Sequence, residues 1–147
     1  MTDLDEWIES ARRTERSVRL YQRPDLVADL DELDRRIEMD RASGQDVEGL
    51  VAEWQLVAQR FANSGLTIRV RGLSGAEIKT LQAEALIERL ELDEIGVKVI
   101  STACVDPLIS PDQLRKLIDA VGESQVMLLG QAVVAACAEP PRVSADE

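Results

Sequence analysis

Histidine is absent from the chain. Its absence removes Ser-His-Asp and Cys-His catalysis and every histidine-ligated metal site. Cysteine occurs only at Cys104 and Cys137, in separate apolar stretches and without Cys-x-x-Cys spacing. Both read as reduced, buried thiols that pack as small hydrophobes. Aromatic residues make up 3%, and lysine supplies 3 of the 17 basic residues against 14 arginines, a bias of the kind GC-rich coding produces. No apolar run approaches the ~20 residues of a membrane-spanning helix. The opening Met1-Thr2-Asp3-Leu4-Asp5-Glu6 is acidic where a signal peptide is basic, so a cytoplasmic protein is expected. Positive charge is also short: 17 basic residues face 28 acidic ones, a net charge of -11. A field of that sign repels phosphate backbones and anionic membrane surfaces, so neither nucleic acid nor membrane is expected as a partner.

What remains is a globular composition, 45% apolar and 31% charged over 147 residues. That length corresponds to about one domain with a hydrophobic core of its own. Residues 3–15 predict a short amphipathic helix capped by Asp3, with Leu4, Trp7, Ile8 and Ala11 on one face. Residues 17–22 alternate, Val18 and Leu20 opposite Arg19 and Tyr21, as a strand with one buried face does. After Pro24, Leu26, Leu30, Leu33 and Ile37 recur in steps of 4, 3 and 4, a heptad seam broken by Ser43 and Gly44. Asp46 caps a second seam of Val47, Leu50, Trp54, Val57 and Phe61. Two seams joined by a short turn imply an antiparallel helical hairpin. Gly65 is expected in the left-handed position that ends it. Residues 66–71 alternate again, with Ile68 and Val70 opposite Thr67, Arg69 and Arg71. The hairpin returns the chain to its start, so the two strands can pair as an antiparallel ribbon, provided helices cover one face.

Downstream, Ser74 and Glu77 form a capping box that opens a helix using Ile78, Leu81, Ala85, Leu86 and Leu90. Residues 94–105 carry both helical spacing and β-branched content; the helical reading is favoured, stopped at Asp106-Pro107. Ser110, Pro111 and Gln113 give a second start signal for a helix burying Leu114, Leu117, Ile118 and Val121. Gly122 ends it, and Ser124 is expected to cap a last helix running to about Ala138. That last segment is apolar nearly all round. It reads as the central helix of a bundle, or as a helix with one side facing a partner chain. The expected fold is therefore mainly α: an antiparallel helical hairpin flanked by a short two-stranded β ribbon, then a C-terminal helical bundle. The expected organisation is a strand–hairpin–strand unit with its leading helix over 1–73, a bundle over 74–138 and a disordered tail over 139–147, together one compact domain.

No catalytic, cofactor-binding or metal-binding set emerges. Clustered acids such as Asp31, Glu32 and Asp34 lie opposite the leucine seam and read as a solvated face, with Glu32 supported by Arg35 and Arg36. The run Arg71-Gly72-Leu73-Ser74-Gly75 lacks the lysine and spacing of a phosphate loop. Arg69 and Arg71, with Arg19 on the first strand, form either a small basic docking site for an acidic segment or a strand face protected by charge.

The blocks from Arg16 to Asp34 and from Thr67 to Glu77, with the helical stretches that follow each and the Ser110–Gln113 cap, resemble the tail assembly chaperones of long-tailed actinobacteriophages and prophages. The resemblance covers most of the chain, in patterns of capping and alternation. It implies a non-enzymatic protein of the host cytoplasm, absent from the finished virion. Such a protein would coat the helix-rich tape measure protein, keep it soluble and help recruit tail tube protein around it. On that reading, Leu114, Leu117, Val121, Val126, Leu129 and Val133 are the candidate groove for an amphipathic helix, joined by Arg69 and Arg71 for acidic segments. Homo-oligomerisation stays open. A structural virion or head-tail adaptor protein, or a small acidic regulatory binding protein, are the alternatives.

Overall fold

The computed structural model describes residues 3–89 and 92–140. Two compact units divide inside strands rather than at residue 73: residues 19–67 form one, and residues 1–18 with 68–147 form the other. Strands β1 (Glu15–Tyr21) and β2 (Gly65–Arg71) run through both.

In the 19–67 unit, α2 (Leu26–Ala42) and α3 (Glu48–Asn63) make the expected antiparallel hairpin. Leu26, Leu33 and Ile37 of the first seam are buried, and Leu50, Trp54, Val57 and Phe61 of the second are half-buried. A fully buried leucine contributes about 1.5–3 kcal/mol, so the seam, rather than helix propensity, holds the hairpin closed. Gly44 turns the chain with a φ of 76°. Asp46 is not the cap expected: Val47 holds that position without a side-chain bond, and Asp46, one residue earlier, accepts from the Glu48 backbone N–H at 3.0 Å. At the open end Tyr21 stacks on Phe61, ring centroids 4.2 Å apart.

Gly65 departs from expectation. It is the first residue of β2, and its φ is not positive. The helix end is closed instead by Ser64, whose hydroxyl donates to the Phe61 carbonyl at 2.7 Å. Glycine leaves room there for the Arg19 guanidinium, which a β-carbon would push aside. That guanidinium donates to the Ala62 carbonyl at 2.8 Å and to Thr67 Oγ1 at 3.1 Å. Gly65→Ala must displace Arg19 from both acceptors. The expected cost is about 1–2 kcal/mol in urea denaturation, with Arg19→Ala in the same background costing little more.

β1, β2 and a third strand, β3 (Cys104–Asp106), follow the order β1-β2-β3 in one antiparallel sheet. The two-stranded ribbon is thus a three-stranded sheet. β3 pairs with β2 through Arg69↔Asp106 and Val70↔Cys104, with a register shift between the two pairs. Its three residues are too short to alternate, and their pairing is non-local. Ile68 and Val70 of β2 are fully buried, as the alternation requires.

The helices of the other unit are α1 (Leu4–Ser10), α4 (Gly75–Glu88), α5 (Leu92–Ala103), α6 (Pro111–Val121) and α7 (Glu123–Ala138). Asp3 caps α1 by accepting from the Asp5 backbone N–H at 3.1 Å, but the helix stops at Ser10 and none of its residues is buried. Both capping boxes form in full. Ser74 and Glu77 exchange hydrogen bonds of 3.0 and 3.1 Å, and so do Ser110 and Gln113. Ser124 caps nothing: Gly122, at φ 95°, both ends α6 and starts α7, leaving no linker for a separate cap. Leu86, expected on the inner face of α4, is exposed, because the buried position of that helix is Ala85. Leu90, and the tail from residue 141 onward, lie outside the described residues. No helix among the described residues is long and apolar enough to cross a membrane.

Candidate functional site

The six residues expected to line a groove divide on burial. Leu114 and Leu129 are fully buried, and Val126 and Val133 nearly so; only Leu117 and Val121 are half-exposed. The first four pack beneath α6 and α7, though Val133 also edges one surface hollow along α7 and Leu114 and Val126 edge another. α7 is apolar on both sides, and the burial falls on the 126, 129, 133, 136 stripe. The opposite side, with Met127, Leu128 and Val134, is open to solvent.

Beside this open side, α4, α5 and α7 leave a trough. One hollow of about 430 Å³ lies against Ile78 and Leu81 of α4, Val99 of α5 and Val134 of α7. A second, of about 610 Å³, shares Val99, Val134 and Ala138 with the first and extends over Gly96, Ile100 and Gly130. A third, of about 310 Å³, lies between α5, α6 and α7: it shares Gly96 and Ile100 with the second, takes in Leu114 and Ile118 of α6 and Val126 and Met127 of α7, and ends at Asp93 and Glu123. They form one path along α7, whose 16 residues span about 24 Å.

The frame of the trough is fixed by polar contacts at its edges. Lys98 of α5 reaches Glu88 at 3.0 Å and Glu84 at 3.7 Å, tying α5 to α4. Leu73 donates its backbone N–H to Cys137 Sγ at 3.2 Å, tying the start of α4 to α7. Cys137 is therefore not the buried thiol expected: it is free and exposed, with its sulfur accepting this contact. Cys104 is free and buried, and burial pushes its thiol up from the usual value. At the start of α4, Arg71 grips Glu77 with two hydrogen bonds of 2.8 and 2.6 Å. Arg71 and the Ser74 backbone N–H together hold the Glu77 carboxyl down at about 2.

The arginines expected to form a basic patch are already engaged. Arg71 is held by Glu77, Arg69 lies 4.0 Å from Glu15, and Arg19 binds Ala62 and Thr67 within the other unit. Among the described residues, no three His, Cys, Asp or Glu side chains gather in a way that could hold a metal ion.

Sequence reasoning reached Leu114, Val126 and Val133 at the edge of the hollows but not their open lining, because α7 offers no polar face to show which side is outward. A signal was present in Gly96 and Gly130, glycines inside helices. Each costs about 1 kcal/mol of helix stability relative to alanine, and such a cost asks for a packing reason. Compared with protein-family models, with characterised proteins and with solved structures, the chain finds no match.

Proposed function

We propose that this chain is a tail assembly chaperone that holds helical segments of a tape measure protein in the α4–α5–α7 trough and keeps them soluble until tail tube protein encloses them. The observation that carries the reading is the trough: adjoining apolar hollows along α7, floored by small residues, in a protein of net charge -11. An amphipathic helix needs such a channel to bury its apolar stripe, and the surrounding charge keeps a complex rich in apolar surface dispersed. The resemblance of the Arg16–Asp34 and Thr67–Glu77 blocks to such chaperones supports the same reading. Many copies along a repeating target need only modest affinity each, because multivalency sums them.

Co-expression tests this. A helical fragment of a phage tape measure protein, co-expressed with the chain, should move from the insoluble to the soluble fraction and co-purify with it. A fragment whose solubility is unchanged by the chain contradicts the proposal. A second reading, a permanent oligomer in a virion structure, is favoured by α1, whose Leu4, Trp7 and Ile8 are all exposed. A stable ring in size-exclusion chromatography with light scattering would support it, and a monomer or weak oligomer the chaperone.

A further inference from the structure

We infer that the helix received by the trough is basic along its margins: an apolar stripe flanked by lysine or arginine. This rests on the trough being a helix site, and it specifies the chemistry of the occupant. The charged residues lining the three hollows are Asp93, Glu123 and Glu139, and no lysine or arginine lines them. Glu139 is met by Arg16 at 3.0 Å. Asp93 and Glu123, at the far end, make no ion pair among the described residues. The lysine of α5, Lys98, is held by Glu84 and Glu88. A helix lying in the trough therefore meets uncompensated negative charge at one end, within the field of a chain carrying -11 overall.

The same charges argue against a second copy of this chain as the occupant. Its exposed α1 stripe is of the right kind, but the helix itself carries Asp5, Glu6 and Glu9 after the Asp3 cap, and Arg12 and Arg13 come only after it ends at Ser10. The floor supports close approach by another helix. A β-carbon at Gly96 would meet nothing within 4 Å, and one at Gly130 would touch only Ile100, at 3.6 Å. Gly96 is therefore where the trough can be filled from within at little cost to the fold, since replacing a helical glycine also favours the helix.

The test titrates the full chain with two designed helical peptides of about 18 residues, matched to the length of α7. Both carry the same leucine–alanine stripe; one has lysine margins and the other glutamate margins. Binding by calorimetry at about 50 mM salt should favour the lysine peptide by about tenfold, and the gap should close at about 500 mM. Asp93→Asn with Glu123→Gln should remove most of the gap at low salt. Gly96→Leu should abolish binding of the lysine peptide while the circular dichroism spectrum stays helical. Equal affinity for both peptides overturns the charge inference and leaves the trough reading standing. Binding of neither peptide, or lysine-peptide binding that survives Gly96→Leu, overturns both. Should Gly96→Leu lose its helical spectrum, the Asp93→Asn/Glu123→Gln pair decides: an unchanged gap in that pair overturns the inference.

Discussion

Leu129→Ala will destabilise the chain by about 3 kcal/mol, whereas Met127→Ala, two residues away on the same helix, will change stability by no more than about 0.5 kcal/mol. Leu129 is fully buried and Met127 is 61% exposed. Truncating the leucine removes its transfer energy and leaves a cavity that Leu114, Val126 and Val133 can only partly fill. Leu129→Asp goes further, placing an unpaired carboxylate where no partner exists, and should leave that unit unfolded at room temperature. A loss of partner binding in Leu129→Asp or Val133→Asp would therefore report unfolding. Substitutions that probe binding belong on the open side of α7 or at Gly96. Urea denaturation followed by circular dichroism separates the alanine variants. Equal losses at both positions would mean that α7 does not present the sides described.

Glu77→Gln is expected to cost on the order of 2 kcal/mol at neutral pH and almost nothing near pH 2. The carboxyl is held at about 2 rather than the usual 4.5, first by the paired hydrogen bonds from Arg71 and then by the Ser74 backbone N–H. Because the folded value lies below the unfolded one, the contribution is complete above pH 4.5 and is lost as pH falls towards 2. Both side chains are 31% exposed, so solvent weakens the pair and the energy is set below the full conversion of the shift. Glutamine can still accept from the Ser74 N–H through its one oxygen, so the difference reports the loss of the charge and of one hydrogen bond from Arg71. Arg71 ends β2 and Glu77 begins α4, which makes this the clamp that sets how α4 leaves the sheet. Denaturation midpoints of both proteins across pH 2 to 7 measure it. A constant gap would show that the carboxylate is not engaged as described.

The elements most legible in the sequence are those whose signal is local. The Ser74/Glu77 and Ser110/Gln113 boxes form with both hydrogen bonds each, because a cap is decided within four residues. Ile68 and Val70 are buried because period-2 alternation fixes a strand's faces. The 4-3-4 spacing from Leu26 to Ile37 places the hairpin seam for the same reason at helical period. What the sequence does not disclose is decided at a distance. β3 is three residues long, and its only warrant is its partner strand. Gly65 is set by the side chain of Arg19, 46 positions earlier in the chain. The direction in which α7 faces is settled by what packs on it, since Leu129 and Leu128 are chemically alike and only the first is buried. The candidate site suffered most from this. Four of the residues chosen for the groove are buried, with Leu114, Val126 and Val133 at the edge of the hollows, while Ile78, Leu81, Val99 and Val134 were passed over as interior packing.

The claim on which the functional reading depends is that a partner helix lies along α5 and α7. Methyl-resolved NMR of the full chain, titrated with a soluble segment of the cognate tape measure protein, addresses it directly. The account predicts shifts centred on Val99, Ile100 and Val134, with the methyl groups of Leu33 and Ile37 in the hairpin unmoved. Shifts confined to the hairpin, or saturating binding that leaves Val99 and Val134 unperturbed, would contradict it.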